Sequence, residues 1–276
     1  MNVSNEFSIP SVLSIAGFDG LGGAGIQADN KTFAALGCYG LNVLSALTIQ
    51  NTLGVKEIVK LPIDSFKDQL DCIFEDSYPN AIKIGMLHSK EQFKVLKSYL
   101  KDYKGFVIYD PVLISSSGFN FINQQELLPS IHELLPYIDL LTPNLIELSF
   151  MLSKNIQTVE EMMEIIPIVS SWACKSTLIK GGHLSGNEIT HILIDSDQTI
   201  TKFHNRKIDS KNTHGTGCTL SSAIACFMTK GYSLKKAVEQ SNNYVFDAIL
   251  KAKDLKLGQG KGGLIHHFLA ENNPFI

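Results

Sequence analysis

The sequence predicts an α/β fold with a mostly parallel central sheet and helices on both faces. Short apolar runs of strand length alternate with amphipathic segments of helical period, as expected of repeated βαβ units. No Pro/Ser-rich linker, internal repeat or low-complexity block interrupts this alternation, so residues 1–276 read as one domain. In such folds ligands sit beyond the carboxyl ends of the strands, which makes the residues just after each strand the informative ones.

In order along the chain, Ser11–Ala16 is an apolar strand ending at Gly17, and Ala24–Leu36 a helix with Ile26, Phe33 and Leu36 on one side and Gly37 as its stop. Leu41–Ile49 and Val55–Leu61 are strands. Ser65–Phe74 is a helix because Phe66, Leu70 and Ile73/Phe74 share a face. Ala81–Gly85 is a strand, Lys90–Leu100 a helix and Phe106–Tyr109 a strand. Gln124–Leu135 is a helix stopped by Pro136, and Ile138–Leu141 a short strand before Pro143. Ile146–Leu152 and Val159–Trp172 read as helices and Ser176–Ile179 as a strand. Thr190–Ile194 and Thr199–His204, joined at Asp195–Gln198, form a hairpin expected at a sheet edge. Gly217–Met228 and Leu234–Leu250 are helices, the second striped by Leu234, Val238, Val245 and Ile249.

Composition narrows the function. Hydrophobic residues are 44% and charged residues 18%, which is globular. Lys+Arg 24 against Asp+Glu 27, a net charge of −3, argues against a nucleic-acid binder. Five scattered cysteines (Cys38, Cys72, Cys174, Cys218, Cys226) without a CxxC suit a reducing, cytoplasmic setting. No apolar stretch reaches the roughly 18 residues of a membrane span.

Four segments after strands carry candidate chemistry. Gly20-Leu-Gly22-Gly23-Ala-Gly25 matches GxGxxG between a strand and a helix. The acid expected about 20 residues on is missing, since none lies between Asp29 and Glu57, so the loop reads either as a cradle for a ligand other than a dinucleotide or as a tight turn. Asp19 and Asp29 could add polar contacts there. Thr213-His214-Gly215-Thr216-Gly217-Cys218 opens an apolar helix, where convergent amides and the helix dipole favour a phosphoryl group and where a thiol's pKa tends to fall. A buried structural cysteine at a helix start is the competing reading. In Thr142-Pro143-Asn144-Leu-Ile-Glu147, Asn144 and Glu147 share a helix side and suit Mg²⁺ through water, or form a capping box. Asp110-Pro111 likewise places an acid at a strand end. Lys180-Gly181-Gly182-His183 offers a lysine as a point charge for phosphate. His266-His267 lacks a spaced third ligand and does not support a metal site. Walker A, protein-kinase and G-x-S-x-G motifs are missing.

Taken in order, these strings resemble one family. Ala16-Gly17-Phe-Asp19, Gly22-Gly23-Ala-Gly-Ile-Gln-Ala-Asp29, Lys31-Thr-Phe33, Ala46-Leu-Thr-Ile-Gln50-Asn-Thr52, Lys83-Ile-Gly-Met86-Leu87 and Asp110-Pro-Val112 are followed by Thr142-Pro-Asn144, Lys180-Gly-Gly-His183, Asn212-Thr-His-Gly-Thr-Gly-Cys-Thr219, Gly258-Gln-Gly-Lys-Gly262 and His266-His-Phe268. The set is similar to the hydroxymethylpyrimidine and hydroxymethylpyrimidine-phosphate kinases of thiamine biosynthesis, in the ribokinase superfamily. That resemblance implies a three-layer α/β/α fold and ATP- and Mg²⁺-dependent phosphorylation of 4-amino-5-hydroxymethyl-2-methylpyrimidine and then of its monophosphate. It implies that Gln50 pairs with the pyrimidine edge, with Asp29, Met86, Gly17, Asp19 and Gly23 around the substrate. Gly215, Thr216 and Gly217 would form the anion hole and Cys218 the base. Lys180, Asn144 and Thr213 would serve ATP, and Asp110 and Glu147 the Mg²⁺. Members of the family look dimeric, and an exposed edge hairpin could be the interface. Phe18 and Gly20-Leu21 replace polar positions of the family pattern, and Ile114–Gly118 lacks the family's lysine. The alternative is a pyridoxal kinase of the same superfamily; Gln50-Asn51-Thr52 and Lys180 favour the pyrimidine.

Overall fold

The structure is a computed structural model and describes residues 9–113 and 124–268. The loop 114–118 therefore lies outside the described residues. Strands β1 (Ser11–Asp19), β2 (Tyr39–Asn51), β3 (Gly54–Lys60), β4 (Ala81–Ile84), β5 (Phe106–Tyr109), β6 (Leu140–Leu141), β7 (Ser176–Lys180), β8 (Glu188–Ile194) and β9 (Ile200–Arg206) form one nine-stranded sheet. Between them lie α1 (Gly25–Ala35), α2 (Ile63–Asp76), α3 (Lys90–Leu100), α4 (Gln124–Leu134), α5 (Leu145–Leu152), α6 (Val159–Glu164) and α7 (Ile166–Ser170), with α8 (Thr216–Thr229) and α9 (Leu234–Ala252) closing the chain.

The strand order is β3-β2-β1-β4-β5-β6-β7-β8-β9. From β2 to β7 every pairing is parallel; β3, β8 and β9 join antiparallel at the two edges. The chain winds from β1 outward to β2 and then returns to place β4 on the other side of β1. The order therefore reverses at the β1/β4 boundary, where two neighbouring strand ends diverge and open a crevice.

Alternation along the central strands builds the two faces. Leu13 and Ile15 of β1, with Val107 and Tyr109 of β5, pack with Phe66 of α2, Phe93 and Leu96 of α3 and Ile131 of α4. Val12 of β1 and Ile108 of β5 point the other way, into a cluster with Phe33 of α1, Ile224 and Ala225 of α8 and Val238 and Val245 of α9. A third cluster seats α5, α6 and α7 against Ile179 and Ile192. The expected layering is thus present, and so is the hairpin, with Thr190 opposite His204.

Two expectations are corrected. The single helix at Val159–Trp172 is two short ones, because Pro167 stands in the first turn of α7 and cannot donate the N–H that a continuous helix requires. β1 runs on past Ala16 to Asp19, with a register irregularity between Ala16 and Phe18 that apolar content alone does not signal.

Candidate active site

The site grows from the crevice at the β1/β4 boundary. Gly17, inside the irregular end of β1, faces Met86 just after β4: a Cβ there would stand 2.6 Å from the Met86 Cε. The close approach of backbone and thioether leaves a shaped apolar wall.

Asp19 ends β1 and organises the loop after it. Its Oδ1 accepts the Leu21 N–H at 2.9 Å, and its Oδ2 accepts those of Gly23 at 2.9 Å and Ala24 at 2.8 Å. His214 Nε2 lies 3.0 Å from the same Oδ2. Burial opposes the Asp19 charge, but His214, the Ala24 amide and the Gln50 side chain outweigh it and hold the carboxyl below its usual range. Asp19 is thus an acceptor already engaged by the protein.

The two glycine loops interlock. Gly215 has φ +83, in the left-handed region, and a Cβ there would lie 1.7 Å from the Gly23 carbonyl oxygen. Only glycine permits this backbone contact. α8 begins directly after it. Thr216 donates its hydroxyl to the Thr213 carbonyl at 2.8 Å, closing the turn before the helix. Thr219 donates to the Gly215 carbonyl at 2.9 Å, and its hydroxyl lies 2.9 Å from His266 Nε2. His266 is therefore a brace beneath the glycine turn.

Lys180 at the end of β7 donates to Asp110 Oδ1 at 2.5 Å, and Asp110 also receives Thr142 at 3.3 Å and Ser221 of α8 at 3.4 Å. Burial opposes the Lys180 charge, and Asp110 and Glu147 more than compensate, raising its pKa. A Cβ at Gly217 would sit 3.3 Å from Lys180 Nζ and 3.5 Å from Asp110 Oδ2, so the amide end of α8 opens onto this pair.

Asn144 and Glu147 form a complete capping box at the start of α5: Asn144 Oδ1 accepts the Glu147 N–H at 3.0 Å and Glu147 accepts the Asn144 N–H at 2.7 Å. Burial, reinforced by the charge of Asp110, pushes Glu147 up to about 8 despite Lys180 and the Asn144 bonds. A buried acid held neutral by a like charge is one that a divalent cation would ionise. Among the described residues no three His, Cys, Asp or Glu side chains gather into a metal cage. The oxygen donors Asp110 and Glu147 beside an open amide end fit a Mg²⁺ that arrives with phosphates and keeps water ligands.

Asp29 does not present a free carboxylate to the crevice. It is fully buried, accepts from Lys83 Nζ at 2.8 and 2.9 Å, and is bonded by Ser14 at 2.5 Å and Ser222 at 2.7 Å. It anchors α1 to β4 and α8 beneath the site. This pair also corrects the expectation for Cys218. The helix start was expected to lower the thiol's pKa; instead burial pushes it up to about 11, with Asp29 and Asp110 adding to the rise and Lys83 and the Gly25 amide opposing it. Two acids, Asp29 from α1 and Asp110 from the end of β5, cannot be read from the sequence around Cys218.

Of the residues singled out, close contacts join Gly17 to Met86, Asp19 to Gly23, Gly23 to Gly215, and Gly217 to Lys180 and Asp110, while Asn144 bridges to Lys180 and Glu147 feels the charges of Lys180 and Asp110. His214, Lys83, Ser221 and Ser222 complete the network and were not assigned roles from sequence. For His214 and Lys83 the only signal was membership in the quoted strings; Ser221 and Ser222 lie beyond them.

A sheet whose strand order reverses at a glycine-lined crevice, with a lysine–aspartate pair under the amide end of a helix, defines a phosphotransferase for a small molecule. The model of the phosphomethylpyrimidine kinase family matches residues 19–264, and the chain belongs to that family. It is 40% identical over 257 residues to the hydroxymethylpyrimidine/phosphomethylpyrimidine kinase of Rhizobium meliloti, spanning 93% of this chain and 96% of that protein. The phosphomethylpyrimidine kinase of Clostridium difficile superposes with a TM-score of 0.74 at 36% identity, covering 88% of this chain and 100% of that one. The pyridoxal kinase of Staphylococcus aureus in complex with AMP-PCP superposes with a TM-score of 0.85 at 29% identity, covering 97% and 96%.

Proposed function

We propose that the protein transfers the γ-phosphoryl group of ATP to the hydroxymethyl oxygen of 4-amino-5-hydroxymethyl-2-methylpyrimidine, and then phosphorylates the monophosphate to the diphosphate, as one cytoplasmic, homodimeric, single-domain enzyme of thiamine biosynthesis. The observation that carries this is the approach of Gly217 to the Lys180–Asp110 pair, with Met86 packed on Gly17 at the end of β1 and Gln50 near the end of β2. An amide such as Gln50 supplies both a donor and an acceptor, which an aminopyrimidine edge needs.

In this reading Gly17 and Met86 flank the ring, and the amides at the start of α8 meet the phosphoryl oxygens as charge builds on them. Lys180 supplies the cation, and Asp110 and Glu147 would hold a Mg²⁺, which would neutralise phosphate charge. Cys218 acts as the base from its thiolate, whose Sγ takes the proton of the attacking hydroxyl; because burial raises the thiol to about 11, the thiolate fraction, and kcat with it, grow with pH. In a loose transition state positioning outweighs base strength.

Mass spectrometry of products from the pyrimidine with ATP tests this. Monophosphate followed by diphosphate is expected. A preference for pyridoxal by a large factor in kcat/KM would instead support the second reading, which the S. aureus pyridoxal kinase superposition favours. The higher identity to proteins named for the pyrimidine supports the first.

A further inference from the structure

His214 has no assigned role, yet it joins the two halves of the crevice. Its backbone N–H donates to the Gly262 carbonyl at 3.0 Å, and its ring packs against Gly23, where a Cβ would lie 2.5 Å from His214 Cδ2. Its Nε2 meets Asp19 Oδ2 at 3.0 Å, and the Gln50 side chain stands close enough to the same carboxylate to help hold it ionised. An ionised carboxylate only accepts, so His214 donates from Nε2. Gly215, the next residue after His214, is the turn on which the phosphoryl group is expected.

We propose that His214 is a positioning residue: through Asp19 it holds the glycine loop and the Gln50 amide in register with the Gly215–Gly217 turn, so that the grip on the acceptor and the aim at the phosphoryl group are set together. The inference rests on the kinase function proposed above. Asp19 is 2% exposed and already takes three backbone N–H groups, so the loop survives loss of His214 while its placement against α8 relaxes. A small displacement of this kind lowers turnover without removing a contact to the substrate.

The test compares His214→Ala and His214→Gln in the full-length enzyme, with kcat and KM for the pyrimidine and for ATP, and thermal unfolding in parallel. His214→Ala is expected to lower kcat by about 100-fold, with KM for ATP changing less than about threefold. His214→Gln, whose amide nitrogen can donate as Nε2 does, is expected to recover most of the lost kcat. In a double-mutant cycle with Gln50→Ala the two losses are expected to be markedly less than multiplicative. Wild-type kcat in His214→Ala, or multiplicative losses with Gln50→Ala, would overturn the proposal. A kcat loss matched by a fall in folded fraction and not recovered by His214→Gln would do so too. If the wild type phosphorylates pyridoxal rather than the pyrimidine, the proposed function fails, and the same kcat split and rescue read on pyridoxal still decide the role of His214.

Discussion

Cys218 carries its proton at neutral pH, because burial and two nearby carboxylates raise the thiol to about 11 while Lys83 opposes them. With the thiolate as base, kcat should rise with pH toward the thiol's pKa, and Cys218→Ala should lose at least about 100-fold in kcat with little change in Tm, the contribution expected of a positioned proton acceptor. Near wild-type turnover in a steady-state assay would remove that role. Lys83 itself is fully buried against Asp29. Lys83→Met strands that carboxylate among Ser14 and Ser222, and should destabilise the protein by about 3–5 kcal/mol in urea unfolding. Adding Asp29→Asn should recover part of this, and no recovery would mean that the charge pair is not the cause. At this scale the sequence showed residue types at strand ends and helix starts but not their occupancy. Asp29 read as a polar contact for the glycine loop because Lys83, its partner 54 positions away, belongs to β4 and no spacing pairs it with α1. Asn144 and Glu147 were legible as a capping box because both partners lie within one turn; the burial that raises Glu147, and the neighbouring Asp110 that adds to it, were not.

Periodicity located most helices and strands because each buries one face against a single sheet. It failed at α6 and α7, where a proline breaks an otherwise continuous apolar pattern, and at the end of β1, where the strand continues through a glycine. α8 is the element on which the site turns. Its first turn opens onto Lys180 and Asp110, and its body from Thr219 to Cys226 is buried throughout, with small residues that let it lie close to β1, β4 and β5. Its start depends on a left-handed Gly215 pressed on the Gly23 carbonyl. Gly215→Ala adds both a strained φ, at roughly 1–2 kcal/mol, and a clash with backbone that cannot yield. We expect the far-ultraviolet circular dichroism to stay native while ATP turnover falls by about 100-fold or more. Intact turnover would show that the two glycine loops need not touch.

For the molecule as a whole, charge is sparse and locally matched, so a net charge of −3 coexists with a phosphate-handling site. Stability should nonetheless depend on pH through His266. Burial, with the charges of Lys31 and His267, lowers it to about 4, below the roughly 6.5 of an unfolded histidine. Between those values the unfolded chain binds a proton that the folded chain refuses. Stability from this group is complete above about 6.5 and is lost as pH falls toward 4, at up to about 1.4 kcal/mol per pH unit. Urea unfolding at pH 7 and pH 5 should show the difference, and His266→Gln should flatten it; an unchanged slope in that variant would refute the assignment. The crevice is also stitched to the far end of the chain. Gln259 and Gly260 donate their backbone N–H groups to the Thr52 hydroxyl at 3.2 and 3.1 Å, Lys261 donates its own to the Thr52 carbonyl at 2.9 Å, and Gly262 receives His214. Synthesis runs the other way. While the ribosome is still adding α8, the β1 strand and its glycine loop already exist, but the turn they close against, and the 258–263 segment that fastens it, have yet to emerge. Residues 258–263 must therefore emerge before this protein can turn over its first substrate, and a fragment cut just short of residue 258 would carry all nine strands without the contacts that fasten the turn.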